Sequence, residues 1–219
     1  MKYEAILFDI DGTLVDSTPA VEKVWNSWAA SAGLDADAIL AVSHGRRTRD
    51  TLAEFIPEED IAQAMADMRV IELAELHSVT ALPGVRDILS ALPTDRWAAV
   101  TSGDRELMVA RLEASEVPVP HVLVDADDVA AGKPDPEGYL LAAAQLGVDP
   151  TRCLVVEDAP AGLQAGRAAG GGVLAVATSH PARELEGLGD AVVDTLADVE
   201  FIVDDDGITV VTSEQPRPN

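Results

Sequence analysis

Short apolar runs alternate with helical patterns through the second half of the chain, and this rhythm constrains the fold more than any other feature. The apolar runs lie at residues 97–101, 122–124, 153–156 and 173–176. Helical patterns occupy the segments 85–92, 105–114, 137–146 and 160–169. Strands that alternate with helices in this way predict a parallel sheet with helices on both faces and right-handed crossovers. The run at 5–8 fits the same sheet, so the predicted fold class is α/β.

The segment between this first run and the alternating region has a different pattern. From Thr18 to about Val79 apolar residues recur at helical spacing, and no strand pattern interrupts them. We therefore predict an all-helical domain, residues 17–79, inserted into an α/β core made of residues 1–16 and 80–219. Near the end of the chain, runs at 201–203 and 208–211 flank an Asp-Asp-Asp-Gly turn and predict a β-hairpin.

The amino-acid composition indicates which kinds of partner the protein can bind and which cellular compartment is expected for it. A formal net charge of -24 argues against nucleic acid and anionic membranes as partners, since both require a basic surface. Cys153 is the only cysteine, so an intrachain disulfide is excluded and a reducing cytoplasm is expected. We see neither a signal peptide nor an apolar stretch long enough to span a bilayer. We predict a cytoplasmic location.

The first predicted strand ends in the carboxylates of Asp9 and Asp11, followed by Gly12. Ligands of open α/β sheets bind at the carboxyl ends of the strands, and hard oxygen ligands suit Mg²⁺. An acidic β-turn accounts equally well for these two residues taken alone.

Three later segments place further polar groups at predicted strand ends. Thr101 and Ser102 precede a helix and can form a phosphate cradle, although helix capping by Ser102 or Asp104 is an alternative. Lys133 lies in a Gly/Pro-rich loop that can hold its ammonium group near a phosphate, with a solvated surface lysine as the alternative. A further strand ends in an acidic pair, Glu157 and Asp158, where helix capping by Asp158 is the alternative.

Taken together, the stretch 8–17, Thr101, the Lys133 loop and the acidic pair resemble, in order and context, the motifs of the haloacid dehalogenase superfamily of phosphotransferases. The resemblance implies a Rossmann-like core with an inserted helical cap. It implies that Asp9 is the nucleophile and Asp11 the general acid/base, with an aspartyl-phosphate intermediate. The residues implied to bind phosphate are Thr101, Ser102 and Lys133. The implied Mg²⁺ ligands are Asp9, the backbone carbonyl of Asp11 and Asp158, with support from Glu157.

The segment Ser43-His44-Gly45-Arg46-Arg47-Thr48 narrows the expected substrate. It resembles the cap loop of the branch that contains sugar phosphatases, glycerol-3-phosphatases and 2-deoxyglucose-6-phosphate phosphatases. Arg46 or Arg47 can hold phosphate, and His44 can bond sugar hydroxyls. A solvated helix start, with its arginines paired to acidic neighbours, is the alternative.

The predicted function is therefore Mg²⁺-dependent hydrolysis of small sugar or polyol phosphate monoesters, by a monomer or weak dimer whose partner is a small phosphorylated metabolite. A sugar phosphate isomerase of the β-phosphoglucomutase kind, on the same scaffold, is the nearest alternative. A phosphate-binding regulatory protein without turnover is a more distant one, because the acidic motifs are complete.

Overall fold

A computed structural model describes residues 2–212 of the chain. Its strands are β1 (Lys2–Tyr3), β2 (Ala5–Phe8), β3 (Val15–Asp16), β4 (Thr80–Ala81), β5 (Trp97–Val100), β6 (Val122–Val124), β7 (Cys153–Glu157), β8 (Gly172–Val176), β9 (Ala191–Val193), β10 (Val199–Asp204) and β11 (Gly207–Thr212). Its helices are α1 (Thr18–Ala32), α2 (Ala36–Ser43), α3 (Thr48–Leu52), α4 (Glu58–Ala74), α5 (Val85–Ala91), α6 (Arg105–Ala114), α7 (Glu137–Leu146), α8 (Pro160–Ala168) and α9 (Ala182–Leu185).

The central sheet has six strands in the order β6-β5-β2-β7-β8-β9, and each neighbouring pair is parallel. This confirms the predicted α/β class. Strand β2 lies between β5 and β7, with Phe8 level with Ala99 on one side and Val156 on the other. The carboxyl ends of these three strands therefore lie side by side, and the residues that follow them share one edge of the sheet.

Both faces of the sheet are covered, which explains why the strands are apolar throughout. Alternate residues of a strand point to opposite faces. Ile6 and Phe8 belong to one buried cluster, whereas Ala5 and Leu7 belong to the other. Burying a side chain as large as Leu7 contributes about 1.5–3 kcal/mol, so the two clusters hold β2 firmly in the centre of the sheet.

Residues 18–78, here called the helical insert, contain α1 to α4 and a short 3₁₀ turn at 76–78. The insert has a separate apolar core, in which the rings of Trp25 and Trp28 meet edge to face with centroids 6.0 Å apart. Strands β3 and β4 form an antiparallel pair where the chain leaves and re-enters the core. The sequence did not predict this two-stranded pair, because its strands are only two residues long.

The predicted hairpin is formed by β10 and β11. Strand β1, which the sequence did not predict, adds to β11 and completes a three-stranded antiparallel sheet. Phe201 of this sheet packs edge to face on Phe8, with ring centroids 6.1 Å apart, so the hairpin extends the main core. No helix in residues 2–212 is long and apolar enough to cross a membrane.

Candidate active site

A cavity of about 520 Å³ lies between the carboxyl edge of the central sheet and the helical insert. Asp9, Asp11, Thr101 and Asp158 line it from the core, and the loop between α2 and α3 lines it from the insert. The structure thus brings residues from four separate sequence motifs to one place, since β2, β5 and β7 are adjacent in the sheet.

Asp9 and Asp158 form the floor of the cavity and belong to a buried ion cluster centred on Lys133. Its ammonium donates to Asp9 Oδ1 at 2.5 Å, to Glu157 Oε1 at 2.6 Å and to the carbonyl of Val100 at 3.2 Å. The Tyr139 hydroxyl donates to Glu157 Oε1 at 3.3 Å, and its ring centroid lies 5.4 Å from the ammonium. Lys133 is therefore a buried, fully engaged cation and not a solvated surface lysine.

Burial sets the protonation of this cluster. It raises the pKa of Asp9 to about 8, with Lys133 acting in the opposite direction and Glu157 adding repulsion. Burial likewise raises the pKa of Asp158 well above its ordinary value, and the charges of Glu157 and Asp9 add to the effect. Although burial alone lowers the pKa of Lys133, Asp9 and Glu157 raise it well above the ordinary value. One ammonium therefore does not neutralise the carboxylates around it.

This excess of negative charge fits a divalent cation. Asp9, Glu157 and Asp158 each offer a carboxylate oxygen, and these oxygens all lie within 4.8 Å of one another. A bound cation would offset their mutual repulsion and the cost of burying them. The Asp11 carboxylate points elsewhere, and the resemblance assigns the backbone carbonyl of Asp11 to the metal, so that assignment stays a prediction.

Gly12 lets the chain pass close to these ligands. Its φ is +85°, and a Cβ atom built there would lie 2.1 Å from Oδ2 of Asp158. Any side chain at this position would therefore displace the Asp158 carboxylate. The side chain of Thr13, next along the same turn, donates to Asp158 Oδ1 at 3.2 Å and holds it in place.

The two hydroxyls after β5 have different partners. Thr101 Oγ1 accepts a hydrogen bond from the backbone N–H of Gly103 at 3.1 Å, so its proton stays available to a ligand. Ser102 donates to the carbonyl of Gly45 in the insert at 2.9 Å. The cap of α6 is Asp104, which accepts from the backbone N–H of Leu107 at 3.0 Å. Of the two capping alternatives, the structure has Asp104.

The loop between α2 and α3 lies on the cavity wall, but its arginines are paired. Arg47 donates to Asp50 at 2.7 and 3.1 Å, and Arg46 contacts Glu54 at 2.7 Å. Arg47 also reaches the carbonyl of Ala130, at 3.3 Å, beside the Lys133 loop. The sequence left open whether these arginines line the site or pair with acidic neighbours, and in the structure they do both.

His44 lies in the same loop and contacts the core. Its ring meets that of His180 edge to face, with centroids 5.6 Å apart. Burial lowers the pKa of His44, and the neighbouring His180 adds to the effect. His44 is therefore placed as a neutral hydrogen-bonding group on the cavity wall.

Arg111, Arg69 and Glu72 are among the charged residues on the cavity wall that were not singled out from the sequence. Arg111, which is 4% exposed, donates to Asp11 Oδ2 at 2.7 Å. Arg69 and Glu72 come from α4 of the insert, and burial raises the pKa of Glu72 against the influence of Arg111 and Arg69. The signal for Arg111 was its place in the buried stripe of α6, between Met108 and Leu112.

Comparison with known proteins agrees with this geometry. The haloacid dehalogenase-like hydrolase family model matches residues 3–170. The chain is 45% identical over 181 residues to hexitol phosphatase A of Escherichia coli strain K12, covering 80% of this chain and 84% of that protein. It is 33% identical to 2-deoxyglucose-6-phosphate phosphatase 1 of Saccharomyces cerevisiae, covering 96% of this chain and 95% of that protein. A hydrolase structure from Pseudomonas syringae superposes with a TM-score of 0.82 at 25% identity, over 89% of this chain and 95% of that one.

Proposed function

We propose, because this chain belongs to the haloacid dehalogenase-like hydrolase family, that it hydrolyses phosphate monoesters of small sugars or polyols. The observation that carries the proposal is the buried cluster of Asp9, Lys133, Glu157 and Asp158 on the floor of the cavity. The relatives named as hexitol and 2-deoxyglucose-6-phosphate phosphatases support the class of substrate.

The first step transfers the phosphoryl group to the protein. An oxygen of Asp9 attacks phosphorus, the bond between phosphorus and the alcohol oxygen breaks, and Asp11 donates a proton to the departing alcohol. The phosphoryl group is then carried as an aspartyl-phosphate on Asp9. Lys133, whose ammonium already touches Asp9 Oδ1, stabilises the negative charge on the phosphoryl oxygens during this transfer.

The second step releases inorganic phosphate. A water molecule attacks phosphorus while Asp11 accepts its proton, and the bond between phosphorus and Asp9 breaks. Both carboxyl groups thereby return to their starting forms. The free hydroxyl proton of Thr101 and the backbone N–H of Ser102 hold the phosphoryl oxygens through both steps.

The cation expected at this site is Mg²⁺, because carboxylates and a substrate phosphate form its usual ligand set. Asp9, the Asp11 carbonyl and Asp158 would hold it, with Glu157 in support, and it would neutralise charge on the phosphoryl group.

The helical insert supplies the other wall of the cavity. We propose that residues 17–79 form a cap domain that opens to admit substrate and closes to exclude bulk water, while residues 1–16 and 80–219 carry the chemistry. Three cap residues, His44, Arg46 and Arg47, are proposed to contact the sugar or polyol ester. The protein is proposed to act as a monomer or weak dimer.

Replacing Asp9 with Asn tests this function. Asp9→Asn removes the nucleophile with little change in volume, so release of phosphate from glucitol 6-phosphate should fall by several orders of magnitude. Asp87→Asn, at an exposed position on α5, is the matched control and should retain full activity. Turnover by Asp9→Asn at a rate near that of the wild type would rule out the nucleophile.

A second assay separates hydrolysis from isomerisation. Incubation with β-glucose 1-phosphate and Mg²⁺ should release inorganic phosphate or leave the ester unchanged. Formation of glucose 6-phosphate would instead identify a mutase.

A further inference from the structure

The Asp11 carboxylate is held by a single side chain. Within residues 2–212, its Oδ2 accepts from Arg111 Nη1 at 2.7 Å, whereas its Oδ1 is buried and has no hydrogen-bond partner. Since a buried polar atom without a partner destabilises a structure, the orientation of this carboxylate needs a compensating interaction. The ion pair with Arg111 is the compensation present.

Arg111 is an unusual residue for its position. It lies on the buried stripe of α6 between Met108 and Leu112, and its side chain is 5% exposed. A guanidinium is costly to bury unless it is paired, and charged side chains are almost never found so deep without a partner. Its pairing with Asp11, 100 positions away in the turn after β2, links α6 directly to the cavity wall.

We propose that Arg111 is a positioning residue for the acid–base step, whose guanidinium holds the Asp11 carboxylate at the cavity wall for proton transfer. This inference rests on the proposed function, because it requires Asp11 to protonate the alcohol and later to deprotonate water. Without Arg111 the carboxylate would rotate away from its present orientation, since no other side chain in the described part of the protein bonds to it.

Two other roles for Arg111 make different kinetic predictions. If Arg111 bound the phosphate directly, its loss would weaken capture of every phosphate ester. If it served only to stabilise the fold, its loss would lower activity on all esters in the same proportion. A positioning role instead depends on the leaving group, because p-nitrophenolate departs without a proton and a sugar alcohol does not.

The test compares Arg111→Met with the wild type on glucitol 6-phosphate and p-nitrophenyl phosphate. On the glucitol ester, kcat/KM should fall on the order of tenfold to a hundredfold, a part of the full value of general acid catalysis. On the nitrophenyl ester, kcat/KM should stay within about twofold, since it reports only the steps up to aspartyl-phosphate formation. The kcat for that ester should still fall, with a burst of p-nitrophenol, because the water step also needs Asp11.

The same substitution in an Asp11→Asn background gives an independent check. If Arg111 acts through Asp11, Arg111→Met should cause no further loss on the glucitol ester once Asp11 is gone. Arg111→Lys should recover part of the activity by restoring a positive charge. Arg105→Met, on the same helix but facing Asp125 and Asp128, is the control and should match the wild type.

Every result of these kinetic experiments either supports or overturns the positioning role of Arg111. Equal losses of kcat/KM on both esters, additive losses with Asp11→Asn, or no loss at all would overturn the positioning role while leaving the phosphatase function intact. A wild-type protein that releases phosphate from neither ester would overturn the proposed function and this inference with it. Should Arg111→Met fail to fold in a thermal melt, Arg111→Lys must show the same dependence on the leaving group, at a smaller magnitude, or the role is excluded.

Discussion

At the scale of single residues, the most consequential group is the carboxyl of Asp9. It is buried and has a lysine partner at 2.5 Å, yet its pKa is raised to about 8 because burial outweighs the single positive charge. In an unfolded chain the same carboxyl would titrate near its ordinary value of 3.8. Between these values the folded protein binds more protons than the unfolded chain, so folding becomes less favourable as the pH rises.

We therefore predict that the metal-free protein loses stability as the pH rises from about 4 to about 8. The part of this loss between about pH 7 and about pH 8 lies above the titration of ordinary carboxyls and histidines. Mg²⁺ should reduce this loss, because a cation stabilises the ionised carboxylates. Urea unfolding at several pH values, with Mg²⁺ and with EDTA, measures both effects.

Asp9→Asn is the control for this prediction, since it removes one of the titrating carboxyls and should make the pH dependence smaller. A metal-free protein that becomes more stable across the same range would contradict the assignment.

At the scale of elements, the turn after β2 determines whether the metal ligands can approach each other. Gly12 has a φ of +85°, and a Cβ atom there would overlap the Asp158 carboxylate. Gly33 has a similar φ of +70°, but a Cβ atom there would meet nothing within 4 Å. A comparison of substitutions at these two glycines therefore distinguishes the effect of backbone strain from that of a steric clash with the Asp158 carboxylate.

Gly12→Ala should abolish phosphatase activity and weaken Mg²⁺ binding, because the new methyl group displaces Asp158. Gly33→Ala should cost about 1–2 kcal/mol of stability through its left-handed backbone and leave activity unchanged. Calorimetry with Mg²⁺, together with phosphate release, tests both variants. If Gly12→Ala were as active as Gly33→Ala, the close approach of the backbone at Gly12 to the Asp158 carboxylate would not be needed for activity.

The loop between α2 and α3 is the second element with a testable role. Arg47 packs over Gly132, next to Lys133, and bonds to the carbonyl of Ala130, whereas Arg46 contacts acidic and backbone groups within the insert. Of these two arginines, only Arg47 therefore contacts the phosphate-binding side of the cavity.

Arg47→Ala should lower kcat/KM for glucitol 6-phosphate by on the order of tenfold, equivalent to a charged hydrogen bond of about 1.5 kcal/mol. Its effect on p-nitrophenyl phosphate should be smaller, since the aryl group offers few hydrogen-bonding groups to this loop. Arg46→Ala should have the weaker effect on both esters. If Arg46→Ala and Arg47→Ala both kept wild-type kinetics, the loop would not contact the substrate, and its arginines would only form ion pairs at the start of a helix.

At the scale of the whole molecule, the helical insert is fastened to the core by polar contacts at separate points. Arg69 of α4 bridges to Asp104 at 2.8 Å and Glu106 at 2.9 Å on α6, and Ser102 bonds to the Gly45 carbonyl at 2.9 Å. These contacts join the insert to the core beside the cavity, and we propose the β3–β4 pair as the connection about which the insert moves.

Arg69→Ala should favour opening of the insert. Its two ion pairs are partly exposed and together contribute on the order of 1 kcal/mol, which corresponds to roughly a fivefold change in the open population. Hydrogen exchange in β3 and β4 should become faster, and added salt should have the same effect on the wild type. Arg49→Ala, which breaks an ion pair with Glu58 inside the insert, should leave the exchange unchanged. If hydrogen exchange in β3 and β4 were equally fast in the wild type, Arg69→Ala and Arg49→Ala, the ion pairs of Arg69 would not control opening of the insert.

The sequence by itself determined the α/β class, the helical character of residues 18–78 and the acidic and basic residues at the strand ends. These follow from local periodicity and from the rule that parallel strands bring their carboxyl ends to one edge. Asp9, Thr101, Lys133 and Asp158 were predictable for this reason, because each immediately follows a strand or lies in a constrained loop.

The tertiary structure alone decided the contacts that depend on which side chains meet across long separations. Strands β1, β3 and β4 are too short to have a periodicity, and they form because a distant partner supplies their hydrogen bonds. The place of Arg111 between Met108 and Leu112 marks it as a charge within an apolar stripe, but only the packing of α6 beside the turn after β2 brings it to Asp11. The partners of the loop arginines were likewise undecided in the sequence, since an arginine side chain can reach several acceptors and only the packed structure selects among them.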